Sequence, residues 1–460
     1  MDTFLKFAAE LFAVPADTIS LDTAYESIPQ WDSLAQLRLV AEMEETFGVE
    51  IPIDAVPDMK TLRDFYRYID GEEARVEIPL SAPNLKAPEI LGNLRECVES
   101  GLVSSSGRFI AEFERKVAAY VRSRDAVAVQ SGAAGLHLAL RLLGVQPGEA
   151  VIAPTLTFIA AVNPITYVGA EPVFMDCDDS LCLDPRKLER FCAEACARTD
   201  DGLIHRETGK RIRVILVVHV FGNMADMERI MDTADRYGLK VLEDATEALG
   251  SFYEKGRFAG KFAGTIGDAG VYSFNANKII TTGGGGMIVS GDQQLLAEAR
   301  YLSATAKNDS LYFAHDAVGY NYRMLNIQAA IGVSQIDEIE RFIETKRANH
   351  QLYRELLGRR AGIEVLPFSE MIRPNYWFYS LAIDGERFGE DRDALMNRLI
   401  AEGIQCRPVW KLCHTQKPYL DAPRFAIETA PFYERRILNV PCSTSLTAED
   451  ARAVCRAILK

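Results

Sequence analysis

An α/β body on a largely parallel sheet, with an all-helical module before it and a smaller α+β lobe behind it, is what this 460-residue chain predicts. Three observations carry that prediction. Between about residues 87 and 334, short apolar runs alternate with helical stretches, the rhythm of a parallel sheet flanked by helices. Before about residue 72 the apolar positions recur at helical spacing alone, and the segment is acidic. Beyond residue 335, helices mix with a few short strands, of which 379–383 is one.

In the first module, residues 1–72, helices are predicted over 3–12, 33–47 and 61–69, with Leu34, Leu37, Val40, Met43 and Phe47 on one side of the second. Residues 1–75 hold 16 Asp and Glu against 6 Lys and Arg, so most of the net charge of −14 sits there. That asymmetry reads as an acidic module joined to a nearly neutral body. Residues 73–86 carry charges, two prolines and little periodicity, and read as a linker. The body follows as a large domain over 87–334, with strands expected at 126–129, 150–153, 172–175, 214–218, 240–242 and 270–274, and a small domain over 335–460.

The negative charge argues against nucleic acid or an anionic membrane as a partner. No basic stretch precedes an apolar run at the N-terminus, and no run reaches ~18–20 apolar residues, so neither a secretory signal nor a membrane span is expected. The nine cysteines form no CxxC pair and no regular framework. Reduced, buried thiols in a cytoplasmic protein without a metal centre are the expectation.

Three segments carry chemistry. In the first, a strand delivers Lys278 into a turn, and Gly283, Gly284, Gly285 and Gly286 follow. Glycines let backbone approach a ligand closely, and a lysine held there can form a Schiff base with a carbonyl cofactor, although lysines and glycine runs are common in plain loops. In the second, a buried-looking strand ends in Glu243-Asp244, with Glu247 three residues on. Such an edge is where open α/β sheets bind ligands, and a carboxylate there can pair with a protonated pyridine nitrogen; an Asp capping the next helix looks the same. In the third, Gln130-Ser131-Gly132-Ala133 turns a strand into an apolar helix, a ready anion site or an ordinary βα turn.

With Phe158 in Pro154-Thr155-Leu156-Thr157-Phe158, Val218-His219-Val220-Phe221-Gly222 and Gly319-Tyr320-Asn321-Tyr322-Arg323-Met324, these segments resemble the DegT/DnrJ/EryC1 family of sugar aminotransferases. The segment 208–212 and the turn 277–286 look most like its legionaminic-acid-pathway branch. The resemblance covers about four-fifths of the chain and implies the aspartate-aminotransferase fold, that is, fold type I of the pyridoxal-phosphate enzymes. It further implies pyridoxal 5'-phosphate as cofactor, L-glutamate as amino donor, a nucleotide-linked 4-keto-6-deoxy sugar as acceptor, and a homodimer. Lys278 would be the Schiff-base lysine and proton shuttle, Asp244 the partner of the pyridine nitrogen, and Phe158 the ring stacked on the cofactor. The phosphate would be held at Gly132, Ala133 and Ser273 and by Asn321 of a neighbouring subunit. Relatives usually have Thr where this chain has Ala133, so one hydroxyl contact is missing. Glu247 stands where the family often has Gln or His, and a carboxylate beside the cofactor's phenolate requires that one of them be protonated. Arg407, Trp410 and His414 would take the sugar nucleotide, although each also fits a packed loop. His219 reads as a structural strand-end histidine.

The acidic module contains Trp31-Asp32-Ser33-Leu34 at the start of a helix, where a serine is ordinarily a cap. Its length, acidity, helix order and Phe47-Gly48-Val49-Glu50-Ile51 resemble an acyl carrier protein. That resemblance implies 4'-phosphopantetheine on Ser33, a phosphopantetheinyl transferase as partner, and an acyltransferase as a further one. Three other readings stand beside the aminotransferase. A sugar dehydratase of the same family would have histidine in place of Lys278. A non-catalytic scaffold would have no use for Lys278 and Asp244. An aminotransferase acting on a keto group tethered to its own carrier differs only in where the substrate rides.

Overall fold

The computed structural model describes all residues except 26, 53–55, 57–58, 70–77, 310 and 313, and leaves the Asp2 side chain aside. It divides into two compact units, Met1–Glu77 and Ile78–Lys460.

The first unit is a small helical domain with helices Asp2–Phe12, Ser33–Phe47 and Leu62–Ile69. Aromatic rings fill its core: Trp31 is fully buried and lies 5.2 Å from Phe12, 6.0 Å from Tyr25 and 6.0 Å from Phe65. The middle helix buries Gln36, Leu39, Val40 and Met43. The stripe expected from the sequence therefore needs correction, because Leu34 and Leu37 are exposed. The amide of Gln36 takes the inward place instead, donating to the Val56 and Met59 carbonyls at 2.8 and 3.3 Å.

The second unit is built on a ten-stranded sheet. Its main path runs Ala126–Val129, Gly286–Val289, Ala269–Ser273, Lys240–Asp244, Arg211–Val218, Ala150–Pro154, Glu171–Met175 and Arg424–Phe425. Gly286–Val289 is antiparallel to both neighbours, and from Ala269–Ser273 onward every pair on the path is parallel. The parallel strands are buried almost throughout, which is why they read as unbroken apolar runs. A four-stranded sheet containing Tyr379–Ile383 forms the C-terminal part.

Two boundaries differ from the sequence reading. The linker expected over 73–86 is built into the body from Ile78 onward, and residues 73–77 lie outside the described residues. Ile78 and Leu80 alternate as in a strand and are buried. Ile78 bridges Ile404, the Cys442 N–H donates to the Leu80 carbonyl at 2.7 Å, and Gln405 Oε1 accepts from the Leu80 N–H at 3.0 Å. The boundary expected at 334/335 falls inside the helix Asn326–Asp337, which buries both Ser334 and Gln335. The C-terminal segment also returns to the large sheet through Arg424–Phe425. All nine cysteines are free and buried. Among the described residues no helix is long and apolar enough to cross a membrane.

Candidate active site

Five strands deliver their C-terminal ends to one edge of the sheet, the edge at which open α/β sheets bind ligands. There a cavity of about 410 Å³ is lined by Gly132, Ala133, Phe158, Asp244, Glu247, Ser273, Lys278, Trp377 and Trp410, among others. The structure thus brings together seven of the expected large-lobe positions and one from the C-terminal segment.

At its floor the strand Lys240–Asp244 presents two carboxylates to opposite sides. Glu243 is consumed by structure: it accepts from the N–H groups of Gly264, Ile266 and Gly267 at 2.5–2.8 Å and from His219 Nε2 at 2.8 Å. His219 Nδ1 in turn accepts from the Ala225 N–H at 3.2 Å, so the network assigns its proton to Nε2. Asp244 faces the cavity, 3% exposed, with the Thr246 N–H donating to Oδ1 at 3.0 Å. Burial raises its pKa, against the Thr246 hydrogen bonds and Lys278, so a cation brought to its free oxygen would be strongly held.

Glu247 is also buried, and its Oε2 accepts from the Phe221 N–H at 2.9 Å. Burial pushes its pKa up to about 7, opposed first by the ammonium of Lys278, which stands 3.7 Å from Oε1. Two buried carboxyls thus face one lysine. Lys278 Nζ also lies 4.1 Å from the centre of the Trp377 ring.

The opposite wall is the start of the helix Gly132–Leu142. Ser131 caps it: Oγ accepts from the Ala134 N–H and its carbonyl from the Gly135 N–H, both at 3.1 Å. The Gly132 and Ala133 N–H groups remain outside the helical ladder, at the positive end of the helix dipole. The glycine run is required by close approach: a Cβ on Gly286 would stand 2.6 Å from the Ser131 carbonyl oxygen and 2.8 Å from the Gly132 nitrogen. Gly285, at φ +136°, occupies backbone space that side chains rarely adopt.

Phe158 stands 53% exposed at the cavity, 6.4 Å from Trp410, which packs 4.8 Å from Phe221. The other two residues expected to grip a sugar nucleotide are not among the lining. Arg407 is exposed in a short strand opposite Asn439. His414 is half-buried with Nδ1 2.6 Å from Thr155 Oγ1, and burial lowers its pKa. Asn321 is likewise exposed and outside the cavity of its own chain. Trp377 and its neighbour Phe378 were missed by sequence reasoning; the only signal was one of three tryptophans in a segment without a motif.

In the first unit the cap of the helix Ser33–Phe47 is Asp32, whose Oδ1 accepts from the Leu34 and Ala35 N–H groups at 3.0 and 2.8 Å. Ser33 is therefore the first helical residue rather than the cap, and it is exposed beside the exposed Leu34.

Residues 84–459 match the DegT/DnrJ/EryC1/StrS aminotransferase family, and the chain belongs to it; residues 2–69 match the phosphopantetheine attachment site. The chain is therefore a pyridoxal-phosphate-dependent sugar aminotransferase of fold type I with an N-terminal phosphopantetheine attachment domain. It is 36% identical to GDP-perosamine synthase of Caulobacter vibrioides over 82% of this chain and 97% of that one. Among solved structures, DesV of S. venezuelae superposes with a TM-score of 0.72 at 28% identity, over 83% of this chain and 98% of that one. DesI, solved in the presence of its TDP-sugar product, superposes with a TM-score of 0.73 at 29% identity, over 87% and 96%.

The residues present fit the cofactor. A buried carboxyl seeking a cation, a lysine in the same cavity, and a helix start with two N–H groups outside its ladder match its pyridine nitrogen, its aldehyde and its phosphate.

Proposed function

We propose that this enzyme transfers an amino group from L-glutamate to a nucleotide-linked 4-keto-6-deoxy sugar, and that Ser33 carries the phosphopantetheine arm. The observation that carries the first part is the gathering of Lys278 and the buried Asp244 in one cavity. The substrate class is supported by similarity to a GDP-perosamine synthase and to DesI with its TDP-sugar product. Pyridoxal phosphate, when bound, supplies the electron sink that lets a proton leave the carbon bearing the amine.

The chain's own residues do the rest. Asp244 keeps a positive charge on the pyridine nitrogen, because its buried carboxylate is otherwise uncompensated on that side. The amine of Lys278 would hold the cofactor through its aldehyde and, when free, would carry the proton between the two carbons. The Gly132 and Ala133 N–H groups and the Ser273 hydroxyl anchor the phosphate. Asn321 of a second copy completes that anchor in a homodimer, consistent with its exposure in the single chain. Phe158 would stack on the cofactor's ring, and Trp410, which lines the same cavity, would contact the sugar. Arg407 and His414 lie outside the lining, so their part in holding a sugar nucleotide rests on the family resemblance alone.

Ser33 is supported as the arm's site by its exposure and by freedom from capping duty. A separate acyltransferase would use a thioester there to acylate the new amine.

The deciding experiment offers UDP-, GDP- and dTDP-linked 4-keto-6-deoxy sugars with L-glutamate and follows products by mass. One nucleotide series should give the amino sugar with 2-oxoglutarate formed in equal amount. Amination of a keto group only when it is loaded on the carrier would overturn the free-nucleotide reading.

A further inference from the structure

The loop bearing Lys278 is held from a distant part of the chain. Trp377 is 2% exposed, and its indole Nε1 donates to the Asn277 carbonyl at 2.8 Å, one residue before the lysine. Its ring face lies 4.1 Å from Lys278 Nζ. The residue is fixed in turn, through its main chain and through its ring. Asn375 Oδ1 accepts from the Trp377 N–H at 2.9 Å, and the buried Lys346 ammonium donates to the Trp377 carbonyl at 3.0 Å. Phe378 stacks on the indole with centroids 4.0 Å apart and planes 9° apart. Asn375 Nδ2 donates to the Glu247 and Leu249 carbonyls at 2.9 and 3.0 Å, so the same short segment grips the acidic turn and the lysine loop.

An ammonium over an indole face is attracted by the ring's quadrupole, and more strongly where water is excluded. Lysine must leave and rejoin the cofactor at each turnover, and a long, flexible side chain loses rotamer freedom whenever it is held for that purpose. We propose that Trp377 is the positioning residue for Lys278. Its ring face receives the ammonium whenever the amine is not bonded to the cofactor, and its N–H fixes the loop so that Nζ swings along one arc. The inference rests on Lys278 being the catalytic lysine.

The test replaces the lysine's own amine with a free one. In the full chain, cofactor-free, Lys278→Ala leaves a site for ethylammonium, whose binding is measured by NMR titration. A second substitution, Trp377→Leu, should weaken that binding about tenfold, the range a desolvated cation–π contact covers. Trp377→Phe, which keeps a ring but no N–H, should stay within about threefold. As single substitutions in the holoenzyme, both should lower the turnover of the glutamate half-reaction with little change in KM, because the loop loses its anchor in each. Trp377→Phe also keeps the volume of the site filled should the leucine variant unfold. Equal ethylammonium affinity in the leucine and parent backgrounds would overturn the proposal. Undiminished turnover by Lys278→Ala without added amine would overturn instead the assignment of the lysine, and the proposal with it.

Discussion

Glu247→Gln isolates one energetic term in the site. Burial raises the carboxyl of Glu247 from the ordinary 4.5 to about 7, with Lys278 opposing the rise. Between those two values the folded protein holds a proton that the unfolded chain releases. The stability that Glu247 contributes is therefore present at low pH and lost as pH rises toward 7. A gap of this size corresponds to about 3 kcal/mol. Glutamine keeps the shape and cannot ionise, so the variant lacks that decline. Relative to the parent, it should gain about 2.5 kcal/mol between pH 5 and pH 8, or roughly 3 °C in melting temperature for a unit of this size. The assay is thermal unfolding of cofactor-free protein, parent and variant, across that range. Parallel curves would refute the reasoning, because they would mean that Glu247 ionises alike in the folded and unfolded states.

Lys278→Ala should lose the visible absorption of the lysine-bound cofactor while keeping the fold; borohydride reduction that marks another lysine would contradict the assignment. Asp244→Asn should lower turnover by at least about a hundredfold with little loss of stability, since an amide cannot hold the pyridine nitrogen protonated; a near-normal half-reaction with glutamate would refute it. Mixing Lys278→Ala with Asn321→Ala subunits should restore part of the activity, and proven heterodimers that stay dead would argue against a site shared between copies. Incubation with coenzyme A and a broad-specificity transferase should add one arm to the protein but not to Ser33→Ala, which should still aminate a free sugar nucleotide.

The strands of the large sheet were legible because burial on both faces leaves nothing but apolar residues between turns, and Ala126–Val129 and Tyr379–Ile383 stand where the sequence placed them. Lys278, Asp244 and the Gly132 turn were legible because each sits within a few residues of the strand that presents it. Trp377 was not, since its role comes from contact with a loop a hundred positions away. The stripe on the carrier's middle helix was misread because periodicity counts Leu34 and Leu37 as inward, whereas the buried amide of Gln36 binds backbone carbonyls there. The linker was overextended because charge and proline were weighed above the alternation of Ile78 and Leu80.

That last correction changes the economy of the fusion. With the chain anchored to the body from Ile78, nine residue steps separate the last carrier helix from its anchorage. Whatever path they take, they span at most about 30 Å. A tether this short sets a millimolar-range effective concentration for whatever the carrier bears, well above what a freely diffusing partner reaches in a cell. Each catalytic chain thereby owns one carrier, in a fixed ratio that no change in expression can alter.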